Sequence, residues 1–291
     1  MSAAPAIQID TTCPYCGVGC GVSATVDTQQ QLAAVSGSSN HPANLGRLCV
    51  KGSALHETMG EHGRLLHPQI NGCRTDWNTA IDVVAAGFSD IIKRHGPNAV
   101  SFYLSGQLLT EDYYVANKLM KGFIGSGNVD TNSRLCMASA VASYKRAFGT
   151  DAVPCCYEDL ECCDLLIMVG SNAAWTHPVL YQRISAAKAL RPQMKVVVLD
   201  PRRTASCEFA DLHLALAPGS DGFIFSGLLR YLHDKGRTDS DYIDHHTEGF
   251  ESALASTGCL DSTAAAAGID AAELEEFYRW FARTEKTITF Y

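Results

Sequence analysis

The chain has 291 residues, 46% of them apolar, a net charge of −8, 23 basic against 31 acidic side chains, and 12 cysteines. This is enough for one large domain or two to three smaller ones, each with its own core. No basic stripe of the kind nucleic acid requires is present, and no apolar run approaches the roughly 20 residues that span a bilayer.

In chain order, Met1 to Asp10 lacks the basic start and long apolar stretch of a secretory signal. On that reading the protein is soluble and cytoplasmic, where thiols stay reduced and a disulfide framework is disfavoured. Cys13, Cys16 and Cys20 follow in the run Cys-Pro-Tyr-Cys-Gly-Val-Gly-Cys, and Cys49 comes later in Leu-Cys-Val-Lys-Gly. Three close thiolates and a remote fourth match the corners of a 4Fe-4S cube. Gly17, Gly19 and Gly21 let the backbone fold tightly around such a core. Zinc is the competing ligand, but structural zinc sites usually use two separated cysteine pairs. Up to about Pro68 the chain is rich in Cys, Gly, His and Asn, with only short strand-like runs such as Gly21 to Val26, so residues 1–67 read as a small domain built around metal.

Regular periodicity then begins. Asn78 to His95 reads as an amphipathic helix with Ile81, Val84, Phe88, Ile91 and Ile92 on one face, ended by Gly96-Pro97. Ala99 to Leu104 reads as a strand, Thr110 to Phe123 as a helix with Thr110 as its N-cap, and Met137 to Phe148 as another helix. Leu165 to Val169, Lys195 to Leu199 and Leu212 to Leu216 read as buried strands, separated by a helix from Pro178 to Leu190 and followed by one from about Asp221 to His233. Strands alternating with helices give a parallel sheet covered on both faces. The fold class is therefore α/β: a small N-terminal 4Fe-4S domain, then αβα layers with mostly parallel sheets, the last of them Rossmann-like. The domain boundaries read as 1–67, 68–135 and 136–291.

Each of the three strands ends in small, polar or charged residues, where open parallel sheets bind ligands. No G-x-G-x-x-G follows any of them, so the usual NAD fingerprint is missing. The alternative is ordinary βα turn chemistry. Lys286 to Tyr291 reads as a strand without a following turn, which suggests the N-terminal piece of a longer protein. Cys136 lies where a loop enters a helix, a position that favours thiolate; a small buried apolar residue is the alternative reading. Cys155-Cys156, Cys162-Cys163, Cys73, Cys207 and Cys259 read as structural, His233, His245 and His246 as surface histidines, and Arg183 as lying on a helix face. Arg134 and Arg202 are candidates to attract an anion.

Several segments together resemble a known family. The Cys13 to Cys20 run, His41-Pro42-Ala43-Asn44 and Leu48-Cys49-Val50-Lys51-Gly52 resemble the opening of the molybdopterin oxidoreductases that bind a bis-guanylyl molybdenum cofactor. Asn132-Ser133-Arg134-Leu135-Cys136-Met137-Ala138-Ser139-Ala140-Val141 is similar to the metal-ligand segment of the bacterial nitrate reductases in that family, and Gly170-Ser171-Asn172 with His177-Pro178 matches as well.

The resemblance implies roles. Cys13, Cys16, Cys20 and Cys49 would ligate the cluster, and Lys51 would lie between it and a pterin as a relay. Cys136 would bind molybdenum, with Gln107 and Asn132 near it. Val169, Gly170, Ser171, Asn172, Trp175 and Thr176 would hold the guanylyl halves together with Asp200, Pro201, Arg202, Arg203 and Thr204, and with Gly219, Ser220 and Asp221. The implied cofactors are a 4Fe-4S cluster and molybdenum bis(molybdopterin guanine dinucleotide).

The implied reaction is reduction of nitrate to nitrite in assimilation, with electrons from a flavoprotein reductase, ferredoxin or flavodoxin. Formate dehydrogenases of the same family carry a His after the metal-binding residue; here Met137 follows, and a thioether is neither acid nor base. A formate dehydrogenase-like enzyme and a non-catalytic iron-sulfur electron-transfer module remain as alternatives.

Overall fold

A computed structural model describes residues 7–27 and 32–291; residues 1–6, which the leader reading concerns, lie outside them. The chain forms two compact units that part between Val153 and Pro154. Residues 136–153, assigned from the sequence to the last domain, fall in the first unit.

The first unit opens with an antiparallel sheet of β1 (Ile7–Thr12), β2 (Gly21–Asp27) and β3 (Leu32–Gly37) in that order. Thr12 pairs with Gly21, so the residues between them form the tip of a hairpin. A single helical turn, α1 (Val50–Ser53), follows the 38–49 loop. Next comes α2 (Trp77–His95). It starts one residue before the expected Asn78, because the Asp76 side chain accepts from the Thr79 amide at 2.9 Å. Gly96 ends it with φ 81°, a conformation that glycine adopts at little cost. Of its apolar face, Phe88, Ile91 and Ile92 are half-buried, and Phe88 packs 6.0 Å from Phe102 between ring centroids. Ile81 and Val84 are exposed.

Two short parallel strands, β4 (Phe102–Leu104) and β5 (Val129–Thr131), sit side by side. Between them runs α3 (Thr110–Asn117), which widens into a π turn over Lys118–Ile124 and stops at Gly125. Thr110 is the first helical residue and not the cap; Leu109 holds that position, and its amide donates to Asp112. A one-turn helix, Ser133–Cys136, precedes α4 (Ala138–Phe148).

The second unit is the expected αβα layer. Its strands are β6 (Leu165–Val169), β7 (Lys195–Leu199), β8 (Leu212–Leu214) and β9 (Thr287–Phe290), with α5 (Pro178–Leu190) between the first two. The order is β8-β7-β6-β9 and every pairing is parallel. The direction of strand addition thus reverses between β6 and β9.

Alternate residues of each strand enter opposite cores. Leu165, Ile167, Val197 and Leu199 face α6 (Asp221–Asp234), α7 (Leu260–Ala267) and α8 (Ala271–Arg283). Leu166, Met168, Val196 and Val198 face α5 through Leu180 and Ile184. Gly227 lets α6 approach α7 and α8: a Cβ there would stand 2.5 Å from Thr263 Oγ1. Among the described residues no helix is long and apolar enough to cross a membrane.

Two side chains tie these layers and make checkable claims. The buried Tyr278 hydroxyl donates to the Ile224 carbonyl at 2.6 Å, so Tyr278→Phe should cost about 1 kcal/mol in urea unfolding. Asp211 accepts from Lys188 at 2.8 Å and from the Val196 amide at 2.8 Å. Burial pushes its carboxyl up, but these bonds and the Lys188 charge outweigh that and hold it below the ordinary carboxylate range. A depressed carboxylate contributes fully above about pH 4 and loses its contribution as pH falls through the lowered value. Stability should therefore decline below about pH 4 more steeply in the wild type than in Asp211→Asn, measured as the unfolding midpoint against pH.

Candidate functional site

The cysteine run is the tip of the β1–β2 hairpin. The Cys13 amide donates to the Cys20 carbonyl at 2.8 Å and closes the neck, while the Gly19 amide donates to the Cys16 carbonyl at 3.2 Å and turns the tip. Gly19 has φ 62°, which a residue with a side chain adopts only under strain. Gly21 serves a different need: a Cβ there would stand 2.4 Å from the His41 side chain.

Asn44, fully buried, grips this glycine. Its Oδ1 accepts from the Gly21 amide at 2.9 Å, and its Nδ2 donates to the carbonyls of Gly21 at 3.0 Å and Arg47 at 2.8 Å. The grip carries the chain to Cys49, which caps α1. Asn44 appears in the sequence motif, but its role as an anchor is legible only in three dimensions.

The four thiols converge. Cys13 and Cys20 are buried, and Cys16 and Cys49 half-buried. Burial, and then the nearby thiols of Cys13, Cys16 and Cys49, push the Cys20 thiol up to about 11. A thiol crowded as Cys20 is resists ionisation until a cationic core neutralises it, which suits an iron-sulfur cluster. Lys51 lies in α1 with its ammonium 5.8 Å from the centroid of the Tyr15 ring.

The hairpin tip abuts the loop after β4. A Cβ on Gly17 would stand 3.1 Å from the Leu108 carbonyl. This neighbouring loop carries Gln107, which is exposed. It is held by Tyr113, which carries no role in the sequence reading, and by Asn132, which the resemblance places near the metal. Tyr113 donates to the Ser105 carbonyl at 2.5 Å and accepts from the Leu108 amide at 3.3 Å. Asn132, at the end of β5, accepts from the Gly106 amide at 2.6 Å. Gln107, Asn132 and Cys136 thus come from the carboxyl ends of a parallel pair, where ligand sites form.

Cys136 is exposed and closes the one-turn helix, with Met137 between it and α4. It is therefore one residue outside the cap of α4, not in its first turn. A cavity of about 690 Å³ opens beside it, lined by Asp130, Ser133, Met137, Val141 and Lys145.

In the second unit the three strand ends form one edge. After β6, Gly170 turns with φ 58°. The Asn172 backbone carbonyl accepts from the amides of Trp175 and Thr176, both at 2.9 Å. Ser206, buried after β7, donates to the Asn172 side chain at 2.9 Å and accepts from the Ala174 amide at 3.1 Å, which links the first two strand ends. Asp200 is buried and accepts from the Arg202 amide at 2.8 Å. Pro201, Arg202, Arg203 and Trp175 are exposed, the last by 78%. The Thr204 hydroxyl is buried without a hydrogen-bond partner, an open position for a ligand's polar group. Gly219 turns with φ 80°, Ser220 is buried and Asp221 opens α6. Val169 and Ser171 complete the β6 end.

The reading of the lone cysteines as small core residues needs correction, and two buried side chains add detail. Arg183 lies on a face of α5, as read, and that face is buried: it is 1% exposed and donates to Glu161 at 2.5 Å. Cys73, Cys155, Cys156, Cys162 and Cys259 are exposed, so only Cys163 and Cys207 of the remaining thiols are core residues. His177 packs edge-on against Phe290 at 5.4 Å, and burial holds its imidazole below the usual range. The side chain of Arg134 lies outside what the structure describes.

Asn44→Ala should leave the Gly21 amide and the Arg47 carbonyl unpaired, while the Gly21 carbonyl keeps the Ser38 amide at 2.9 Å, at about 1–3 kcal/mol. The expected result is a lower unfolding midpoint together with iron below four per chain; unchanged midpoint and iron would remove Asn44 from the anchor.

The sequence matches the molybdopterin oxidoreductase family over residues 64–258 and the family's Fe4S4 domain over residues 8–61. It is 56% identical to a nitrate reductase of Klebsiella oxytoca over 281 residues, which is 97% of this chain and 32% of that protein. It is 47% identical to a nitrate reductase of Shewanella frigidimarina, covering 97% of this chain and 31% of the relative. A periplasmic nitrate reductase of Desulfovibrio desulfuricans is 41% identical, covering 75% and 29%. The chain thus spans about a third of the length of the relatives it matches. Acetylene hydratase from Pelobacter acetylenicus shares the fold, with a TM-score of 0.77 at 23% identity over 97% of this chain and 40% of that one. With four converging thiols in its Fe4S4 region and a parallel αβα unit later in the sequence, the chain belongs to the molybdopterin oxidoreductases, a family of molybdopterin and 4Fe-4S proteins.

Proposed function

We propose that this chain is the electron-entry and cofactor-holding portion of a nitrate reductase catalytic subunit that reduces nitrate to nitrite in nitrate assimilation. The observation that carries the reading is the pair Cys136-Met137. A thiol able to serve a soft metal is followed by a side chain that handles no proton, and Met137 lines the cavity beside it. Oxygen-atom transfer needs no base at that position, whereas formate oxidation does. Relatives named nitrate reductase support the same substrate.

In this reading Cys13, Cys16, Cys20 and Cys49 hold the cluster, and Cys136 gives a thiolate to molybdenum. Gln107 and Asn132 lie on the loops beside it. The strand ends at 169–176, 200–204 and 219–221 hold the guanylyl halves of a bis-guanylyl pterin, with the Thr204 hydroxyl free to bond one of them. The bound molybdenum centre supplies a site that accepts oxygen from an oxyanion. The chain's own contribution is to fix that thiolate, to admit the anion past Met137 and to set a positive charge, Lys51, beside the thiols. The donor would be a flavoprotein reductase, ferredoxin or flavodoxin. Cytoplasmic placement is favoured by the twelve cysteines, all of them described and none in a disulfide.

The test uses the full-length protein with reduced methyl viologen as donor. Nitrite should form, and formate should not reduce the dye. Cys136→Ser should take nitrite formation to background while iron stays near four per chain. Nitrite formation at the wild-type rate would remove Cys136 from the metal.

A further inference from the structure

We propose that Tyr15 is the positioning residue for Lys51, its ring holding the ammonium group beside the cluster thiols. This rests on the reading that Cys13, Cys16, Cys20 and Cys49 hold a 4Fe-4S cluster. The Lys51 Nζ stands 5.8 Å from the ring centroid of Tyr15, within the reach at which the negative face of an aromatic ring attracts a cation. The two partners differ in freedom. Tyr15 lies between Cys13 and Cys16, in a tip whose neck is closed by the Cys13–Cys20 hydrogen bond, and it is half-buried. Lys51 is exposed on a single helical turn two residues after Cys49. A lysine in that setting explores many rotamers unless something selects one. The ring makes that selection, and it travels with the same loop that carries three of the thiols.

The consequence is electrostatic. A positive charge fixed near the thiols favours the cluster state that holds one more electron, so it raises the midpoint potential. One electron arrives from an external reductant, and no proton moves. Losing the ring frees the ammonium and lowers the potential, much as losing the ammonium does.

The measurement is the midpoint potential of the cluster in the full-length protein, from an EPR-monitored titration with dithionite, with iron content measured alongside. Lys51→Met should lower the potential. Tyr15→Leu should lower it in the same direction, and the double variant should fall no further than Lys51→Met alone. Tyr15→Phe keeps the ring face and should match the wild type. Phenylalanines bearing successive fluorines at position 15 keep the shape but drain the ring face, so the potential should fall stepwise. That series stays readable even where the leucine variant loses its cluster. A wild-type potential in Tyr15→Leu, or a flat fluorination series, while Lys51→Met still lowers the potential, would overturn the proposal and leave the cluster reading intact. No effect in Lys51→Met would show the ammonium uncoupled from the thiols and overturn the proposal as well. Wild-type protein lacking a 4Fe-4S signal would sink the cluster reading itself.

Discussion

A loop that leaves a sheet to carry ligands loses its ladder partners, and its shape must then be held by other groups. In this chain asparagine carboxamides supply that hold at three places. Asn44 grips Gly21 behind the cysteine tip. Asn132 holds the Gly106 amide beside Gln107. Asn172 accepts from Ser206 and joins the first two strand ends of the second unit. A carboxamide suits the task because one end accepts and the other donates, so it can replace a missing stretch of backbone. Asn44 lies next to the thiols it supports, while Asn132 and Asn172 are themselves among the residues assigned to the cofactor. The ligand residues can remain exposed or strained because the anchors beside them fix the backbone.

Much of this architecture was readable from sequence where the signal is local. β6, α5 and β7 occupy the residues that their apolar periodicity marks, because each is buried on the face its pattern shows. The C-x2-C-x3-C run carries its meaning in spacing alone. Signals that depend on distant partners were not readable. Tyr113 looks like any helical aromatic until its hydroxyl is seen on the Ser105 carbonyl. Ser206 acts across 34 residues of sequence. Arg183 reads as a helix-face residue, but its burial is not legible because Glu161, 22 residues earlier, is what allows it indoors. β1 escaped notice although Ile7 and Ile9 alternate with Gln8 and Asp10, because that alternation is only four residues long and its two isoleucines remain exposed. The helices α7 and α8 pack against the sheet from beyond the last strand–helix alternation that drew attention, although Leu274, Phe277 and Tyr278 are fully buried.

The thiols also divide by surroundings. At the hairpin tip, burial and the thiols of Cys13, Cys16 and Cys49 push the Cys20 thiol up, a penalty that a metal core relieves. Cys163 meets a different fate: burial pushes its thiol up to about 11, and its Sγ donates to the Leu160 carbonyl, as a small core residue does. Cys155, Cys156 and Cys162 are exposed among carboxylates. Residue type alone does not separate these groups. The closed neck of the hairpin does.

The hairpin also makes the four thiols unequal. Three of them lie within one tip of eight residues, so their meeting requires only a short loop to close. Cys49 follows Cys20 by 29 positions, and closing that longer loop costs roughly 1 kcal/mol more in chain entropy. Asn44 shares that task, because it holds Gly21 from a point five residues before Cys49. Three corners of the site are thus fixed by their own hairpin, and the fourth by a side chain that reaches back across 23 residues.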